Sequence, residues 1–248
     1  AQESRGLGDV YKRQDKRARI YASMVASLDD SVGRIVKVLE SLGLSENTLI
    51  VFASDNGCAG YIEGACSNAP YSGFKRYHQE GGIRIPLIMS WDNFLPRGLT
   101  YKQPVITLDL YSTFVAAAGH AGFSSIDSVN LIPFVKEEVN SSPHKYLYWR
   151  SGPTYAIRDE RWKLMRYSVA PYTARDLGDD GRLTPPKGGW PRELSSEKIT
   201  LLYDLKADPP EQSNLADAHP EIVKRLNTEY EIWAWSLPKP MIPTIRST

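Results

Sequence analysis

The sequence predicts an α/β protein in which a mostly parallel sheet flanked by helices is followed by a small antiparallel sheet packed by a helix. Three observations carry that expectation. A long stretch with apolar residues every three or four positions precedes short runs rich in β-branched residues, the alternation of helix and strand found in parallel α/β sheets. From about Lys145 the texture changes to brief aromatic-rich runs, which suit an antiparallel meander. The composition, 42% hydrophobic and 24% charged over 248 residues, excludes collagen, coiled coil and wholesale disorder.

Residues 1–14 show neither a helical nor a strand period and read as an unstructured leader. From Asp15, residues Ile20, Met24, Leu28, Val32, Ile35, Leu39 and Leu42 form one apolar stripe on a long amphipathic helix, which Gly43 stops. The basic residues Lys16, Arg17 and Arg19 are read as a solvated face of that helix. Leu49 to Ala53 is a continuous apolar run, expected to be a central strand buried on both faces, and it ends in the polar turn Ser54-Asp55-Asn56-Gly57. A second apolar run covers Ile85 to Trp91. The element Val105 to Ala118 is expected to hold a helix capped by Thr107 and closed by Gly119.

The runs Tyr146 to Arg150, Thr154 to Arg158 and Trp162 to Tyr167 predict the meander, with Asp159-Glu160-Arg161 turning the last pair into a hairpin. Ala170 to Lys198 carries too many glycines and prolines for a packed element, leaving a substrate-facing loop and a flexible insertion both open. Leu201 to Leu205 is the expected last strand. A helix from Pro220 to about Trp235 follows, with Ile222, Val223, Leu226, Tyr230 and Trp233 facing the small sheet.

Lys plus Arg is 30 against 29 for Asp plus Glu, so no overall field favours nucleic acid or an anionic membrane. Any anion must be recognised locally. No apolar run approaches the roughly 20 residues that span a bilayer. Cys58 and Cys66 could form one bridge in an oxidising compartment.

Two constellations carry chemistry. Asp55 and Asn56, adjacent oxygen donors on a glycine-terminated turn, can both address one hard cation, although Asp-Asn-Gly is also a common turn. The string Gly73-Phe74-Lys75-Arg76-Tyr77-His78-Gln79-Glu80-Gly81-Gly82-Ile83-Arg84-Ile85-Pro86 is rarer. In it Lys75 either supplies a compact positive charge suited to a tetrahedral anion or is a surface lysine on a loop. His78, three residues on, is either a contact for the sugar or aryl part of a substrate or an ordinary loop histidine. His120, His144 and His219 are assigned no role. Asn140-Ser141-Ser142 forms a glycosylation sequon, with meaning only in a eukaryotic secretory setting.

These strings, together with Leu28-Asp29-Asp30-Ser31-Val32-Gly33, Leu108-Asp109-Leu110, Leu147-Tyr148-Trp149-Arg150, Ala156-Ile157-Arg158, Trp162-Lys163-Leu164 and Leu202-Tyr203-Asp204-Leu205, resemble the C-terminal portion of formylglycine-dependent sulfatases of the arylsulfatase type. The resemblance implies an alkaline-phosphatase-like sheet, incomplete here. It assigns residues 15–144 to the C-terminal half of the catalytic domain, residues 145–248 to a small α+β subdomain, and residues 1–14 to an unmatched, foreign leader. It implies sulfate-ester hydrolysis on sulfated sugars or aryl sulfates, with Asp55 and Asn56 as ligands of a divalent cation, usually Ca2+, and Lys75 on the sulfate and its bridging oxygen. It further implies a periplasmic, secreted or lysosomal location, no nucleic-acid partner and no membrane.

The formylglycine, made within a Cys/Ser-x-Pro-x-Arg motif, is expected upstream, because no such motif occurs in this sequence. Ser141-Ser142-Pro143-His144-Lys145 has Lys where Arg is required. The chain alone is therefore expected to be inactive and, with uncovered apolar surface, poorly soluble. The alternatives are a non-catalytic carbohydrate-binding or scaffolding relative and a phosphonate or phosphate-ester hydrolase of the same superfamily. Asn56 argues against the second, whose members tend to carry His there.

Overall fold

The computed structural model describes residues 16–60, 66–120, 127–152, 154–167 and 199–238. Residues 1–14, read above as a leader, and the breaker-rich stretch Ala170 to Lys198 lie outside them. The described residues divide into two packing units: 16–55, 66 and 85–143 in the first, and 56–60, 67–84 and 144–238 in the second. By packing, residues 67–84 thus group with the C-terminal sheet, although in sequence they lie within 15–144.

In the first unit, helix α1 (Lys16–Ser41) follows the expected period. Gly43 ends it at φ +67°, with the Leu44 amide bonded to the Leu39 carbonyl at 2.9 Å. Along its stripe Ile20, Met24, Leu28, Ile35 and Leu42 are all exposed, and no described element covers that face. Strand β1 (Ile50–Ala53) is half-buried, not fully buried. In the second unit, the short helix α2 (Glu80–Ile83) holds the buried Glu80, Gly81 and Gly82.

Strand β2 (Leu87–Ser90), in the first unit, pairs with β1 antiparallel, Ile50 opposite Ser90 and Ala53 opposite Leu87. No parallel pair occurs among the described strands. Helix α3 (Asp109–Ala117) is not capped by Thr107. Instead the buried Asp109 carboxylate accepts the amides of Ile106 and Val129, each at 2.9 Å, which ties the helix start to a distant loop. Gly119, at φ +77°, closes the helix as expected. A one-turn helix, α4 (Ile132–Val135), completes the unit.

The second unit contains the meander β3 (Leu147–Ser151), β4 (Thr154–Arg158), β5 (Trp162–Tyr167) and β6 (Ile199–Asp204), antiparallel in that order. Asp159 makes the β4–β5 turn by accepting the amides of Arg161 at 2.8 Å and Trp162 at 2.6 Å. Helix α5 (Pro220–Ser236) covers one sheet face. There Ile157, Leu164 and Leu202 pack with Leu226 and Tyr230, and the Tyr155 and Tyr230 rings stack with centroids 3.6 Å apart. The other face presents Ala156, Met165, Tyr167, Leu201 and Tyr203, with Tyr77 of the 73–84 segment packed against it. The period of two along β5 divides its residues between the two faces. No helix among the described residues is long and apolar enough to cross a membrane.

Candidate active site

Asp55 ends the first packing unit and Asn56 begins the second. Asp55 is exposed and Asn56 half-buried. The next residue explains the glycine: the Gly57 amide donates to the Gly82 carbonyl at 2.9 Å, and a Cβ at Gly57 would collide with the Gly81 carbonyl. A Cβ at Gly82 would in turn collide with the Tyr77 carbonyl. The two chain segments approach each other more closely than any side chain permits. The Cys58 carbonyl then accepts the Lys75 amide at 3.0 Å, which ties the lysine loop to the backbone two residues beyond Asn56. Asn68 adds bonds to the Cys58 amide at 2.8 Å and the Gly73 carbonyl at 3.1 Å. Both cysteines are disulfide-bonded, so neither thiol is free.

Lys75 is half-buried, and its ammonium has no hydrogen bond or ion pair among the described residues. Arg76 beside it has a left-handed φ of 94°, a conformation costly for a residue with a side chain, and it sits where the loop turns back. His78 is 7% exposed, and its ring lies 6.2 Å from that of Tyr167. Its amide donates to the Tyr167 hydroxyl at 2.9 Å. Burial, aided by the charge of Lys163, lowers its pKa to about 4 and keeps the ring neutral.

Sequence reasoning missed the buried charges beneath this loop. Glu80, Lys163 and Glu211 are each at most 2% exposed. The Lys163 ammonium lies 3.0 Å from Glu80 and 2.8 Å from Glu211, and Arg158 lies 3.4 Å from Glu80. Burial alone would raise the Glu80 carboxyl, but Lys163 and Arg158 outweigh it and hold it below its ordinary value. For Glu211 burial wins over the attraction of Lys163, and its pKa rises to about 7. One sequence signal existed: Lys163 shares its strand parity with Met165 and Tyr167, an inward position where an ammonium requires anions.

Asp55 and Asn56 supply a carboxylate and an amide oxygen, hard donors that fit part of a site for a hard cation such as Ca2+. No group of three or more His, Cys, Asp or Glu that could hold a metal occurs among the described residues.

An Asp-Asn-Gly turn at a strand end, a lysine loop anchored to the backbone that follows it, and a separate antiparallel sheet define the class as alkaline-phosphatase-like α/β. The Sulfatase family model matches residues 3–120, and that of N-sulphoglucosamine sulphohydrolase, C-terminal, matches residues 72–182. This chain belongs to the sulfatase family and corresponds to the C-terminal portion of its members. It is 29% identical over 236 residues to the uncharacterized sulfatase YdeN of Escherichia coli (strain K12), covering 88% of this chain and 41% of that protein. To the N-acetylgalactosamine-6-sulfatase of Mus musculus it is 34% identical over 149 residues, 58% of this chain and 28% of that one. The crystal structure of Ps i-CgsB in complex with k-i-k-neocarrahexaose superposes with a TM-score of 0.72 at 27% identity, covering 94% of this chain and 46% of that one. The chain thus spans less than half the length of each.

Proposed function

We propose that this chain is the C-terminal part of a sulfatase that hydrolyses sulfate esters of carbohydrates, with Lys75 binding the sulfate. The observation that carries the reading is the half-buried Lys75 ammonium, unpaired among the described residues, on a loop fixed by buried glycine contacts. A cation that none of the described anions pairs, while its neighbours are immobilised, is preorganised for an external one. Lys75 holds the sulfuryl oxygens and offsets charge that grows on the bridging oxygen as the ester breaks. Asp55 and Asn56 would hold the divalent cation, Ca2+, which supplies further positive charge to the sulfuryl group.

Formylglycine chemistry follows from the family resemblance and requires residues outside this sequence. A sulfated sugar is favoured over an aryl sulfate because relatives include an N-acetylgalactosamine-6-sulfatase and a sulfatase-fold protein complexed with an oligosaccharide. The disulfide-bonded cysteines support a periplasmic, secreted or lysosomal location. The test extends the reading frame upstream, expresses the longer protein and measures sulfate release from a sulfated monosaccharide, with a phosphonate monoester in parallel. Lys75→Ala is expected to lower kcat/KM about 100-fold or more while leaving Tm nearly unchanged. Unchanged turnover would remove Lys75 from the site, and preference for the phosphonate would overturn the sulfatase assignment.

A further inference from the structure

Arg158 and Lys163 are direct cross-strand partners in the β4–β5 hairpin. Two cations facing each other on a buried sheet face repel and are expensive to desolvate, so the hairpin is unfavourable there without anions over it. Two carboxyl groups take that place, and both come from outside the sheet. Glu80, five residues after Lys75, bonds Lys163 at 3.0 Å and Arg158 at 3.4 Å, and Glu211 lies 2.8 Å from Lys163. Glu211 also accepts the Glu80 amide at 2.6 Å, so it holds the loop by its backbone as well as through the shared lysine. On the same sheet face Tyr167 accepts the His78 amide at 2.9 Å. The Ser72 hydroxyl donates to the Pro210 carbonyl at 2.5 Å, so the loop is held on both sides of Lys75.

We propose that Lys163, Glu80 and Glu211 form a buried ionic clamp that positions the Lys75 loop on the C-terminal sheet, making all three positioning residues for sulfate binding. The part concerning catalysis rests on the reading of Lys75 given above. The clamp explains why a small sheet with a full helix on one face keeps charged residues on the other: that face is a seat for the loop. It also accounts for a fully buried lysine and two fully buried glutamates, groups that proteins otherwise leave in water. None of the three touches the reacting atoms. Their effect reaches the reaction through the position of Lys75, where a displacement of about 1 Å can cost about 100-fold in rate.

The experiment pairs Lys163→Met with Leu226→Ala, which opens a cavity on the helix-covered face of the same sheet and touches nothing in the loop. Amide hydrogen exchange is read over residues 75–80 in the 248-residue chain, and kcat and KM in the longer protein. Because Lys163→Met can prevent folding by leaving two carboxylates facing each other, Lys163→Met with Glu211→Gln is made as well. That pair removes one charge of each sign and leaves Glu80 to Arg158.

Exchange at residues 75–80 is expected to rise at least ~10-fold in the lysine variants, and kcat to fall ~10-fold or more with a smaller change in KM. Leu226→Ala lowers Tm but moves neither. Equal effects from the two faces would reduce Lys163 to a structural residue and overturn the proposal. Loop exchange that rises only in the lysine variants, together with unchanged turnover in Lys75→Ala, would preserve the clamp and overturn the sulfate role of Lys75.

Discussion

In the second packing unit Ile157, Leu164, Leu202 and Leu226 are 0% exposed, whereas along α1 in the first Met24 is 66% and Ile35 59% exposed. Both regions have the same kind of sequence pattern, apolar residues at the spacing of one helix face. The α5 stripe finds a sheet, with Leu226 and Tyr230 buried against it, and the α1 stripe finds no cover among the described residues. A hydrophobic stripe therefore establishes that a helix has a face to bury and says nothing about whether its partner lies in the same chain. The first unit takes its order from buried polar groups instead: Thr113 donates to the Asp109 carbonyl at 2.7 Å and accepts the Leu131 amide at 3.0 Å. The second combines two apolar clusters with the ionic clamp.

The largest test of that difference is Lys163→Met. Removing one partner of a buried ion cluster leaves uncompensated charge, and about 3–5 kcal/mol of unfolding free energy should be lost at pH 7 in urea melts of the 248-residue chain. A loss under 1 kcal/mol would mean that the clamp is open in solution. Next is Leu226→Ala at the centre of the helix-covered cluster, where cavity formation is expected to cost about 2–4 kcal/mol by the same measurement.

The pH dependence of the second unit follows from two buried groups of opposite sign. The folded-state pKa of His78 is depressed to about 4, so between about pH 4 and 6.5 only the unfolded chain binds that proton, and stability rises with pH. The folded-state pKa of Glu211 is raised to about 7, so between its ordinary carboxyl value and pH 7 only the folded chain holds that proton, and stability falls as pH rises. Between about pH 4.5 and 6.5 the two slopes oppose each other. His78→Gln should expose the falling slope and Glu211→Gln the rising one, each on the order of 1 kcal/mol per pH unit. Thermal melts across pH 4–8 decide it, and two variants with parallel profiles would contradict the assignment.

The strand-turn-strand pattern of the meander and the stripe of α5 were legible in the sequence, since local chemistry determines both: Asp159 at the turn, and the residues on one helix face. Gly57 was legible as the end of a polar turn, and Lys75 and Gly82 as parts of a rare string. What escaped was whatever depends on distant partners. Glu80 is ordinary until Lys163 and Arg158, roughly eighty residues on, are placed under it, and His78 looks like a loop histidine until Tyr167 covers it. The antiparallel pairing of β1 with β2 escaped for the same reason, because two apolar runs do not state their relative direction.

The smallest effect on stability is expected on the exposed stripe, where it separates folding from association. Met24 and Ile35 are 66% and 59% exposed, so replacing each by Lys removes little packing and should change unfolding free energy by under about 0.5 kcal/mol. The same substitutions interrupt a face on which Ile20, Leu28 and Leu42 also stand open, a continuous apolar surface of the kind that drives association. The double variant Met24→Lys with Ile35→Lys should therefore keep the wild-type urea midpoint while its self-association, followed by light scattering against concentration, declines. A fall of more than 1 kcal/mol instead would mean that α1 buries its stripe within this chain in solution, and the two units would no longer differ in the way their cores are closed.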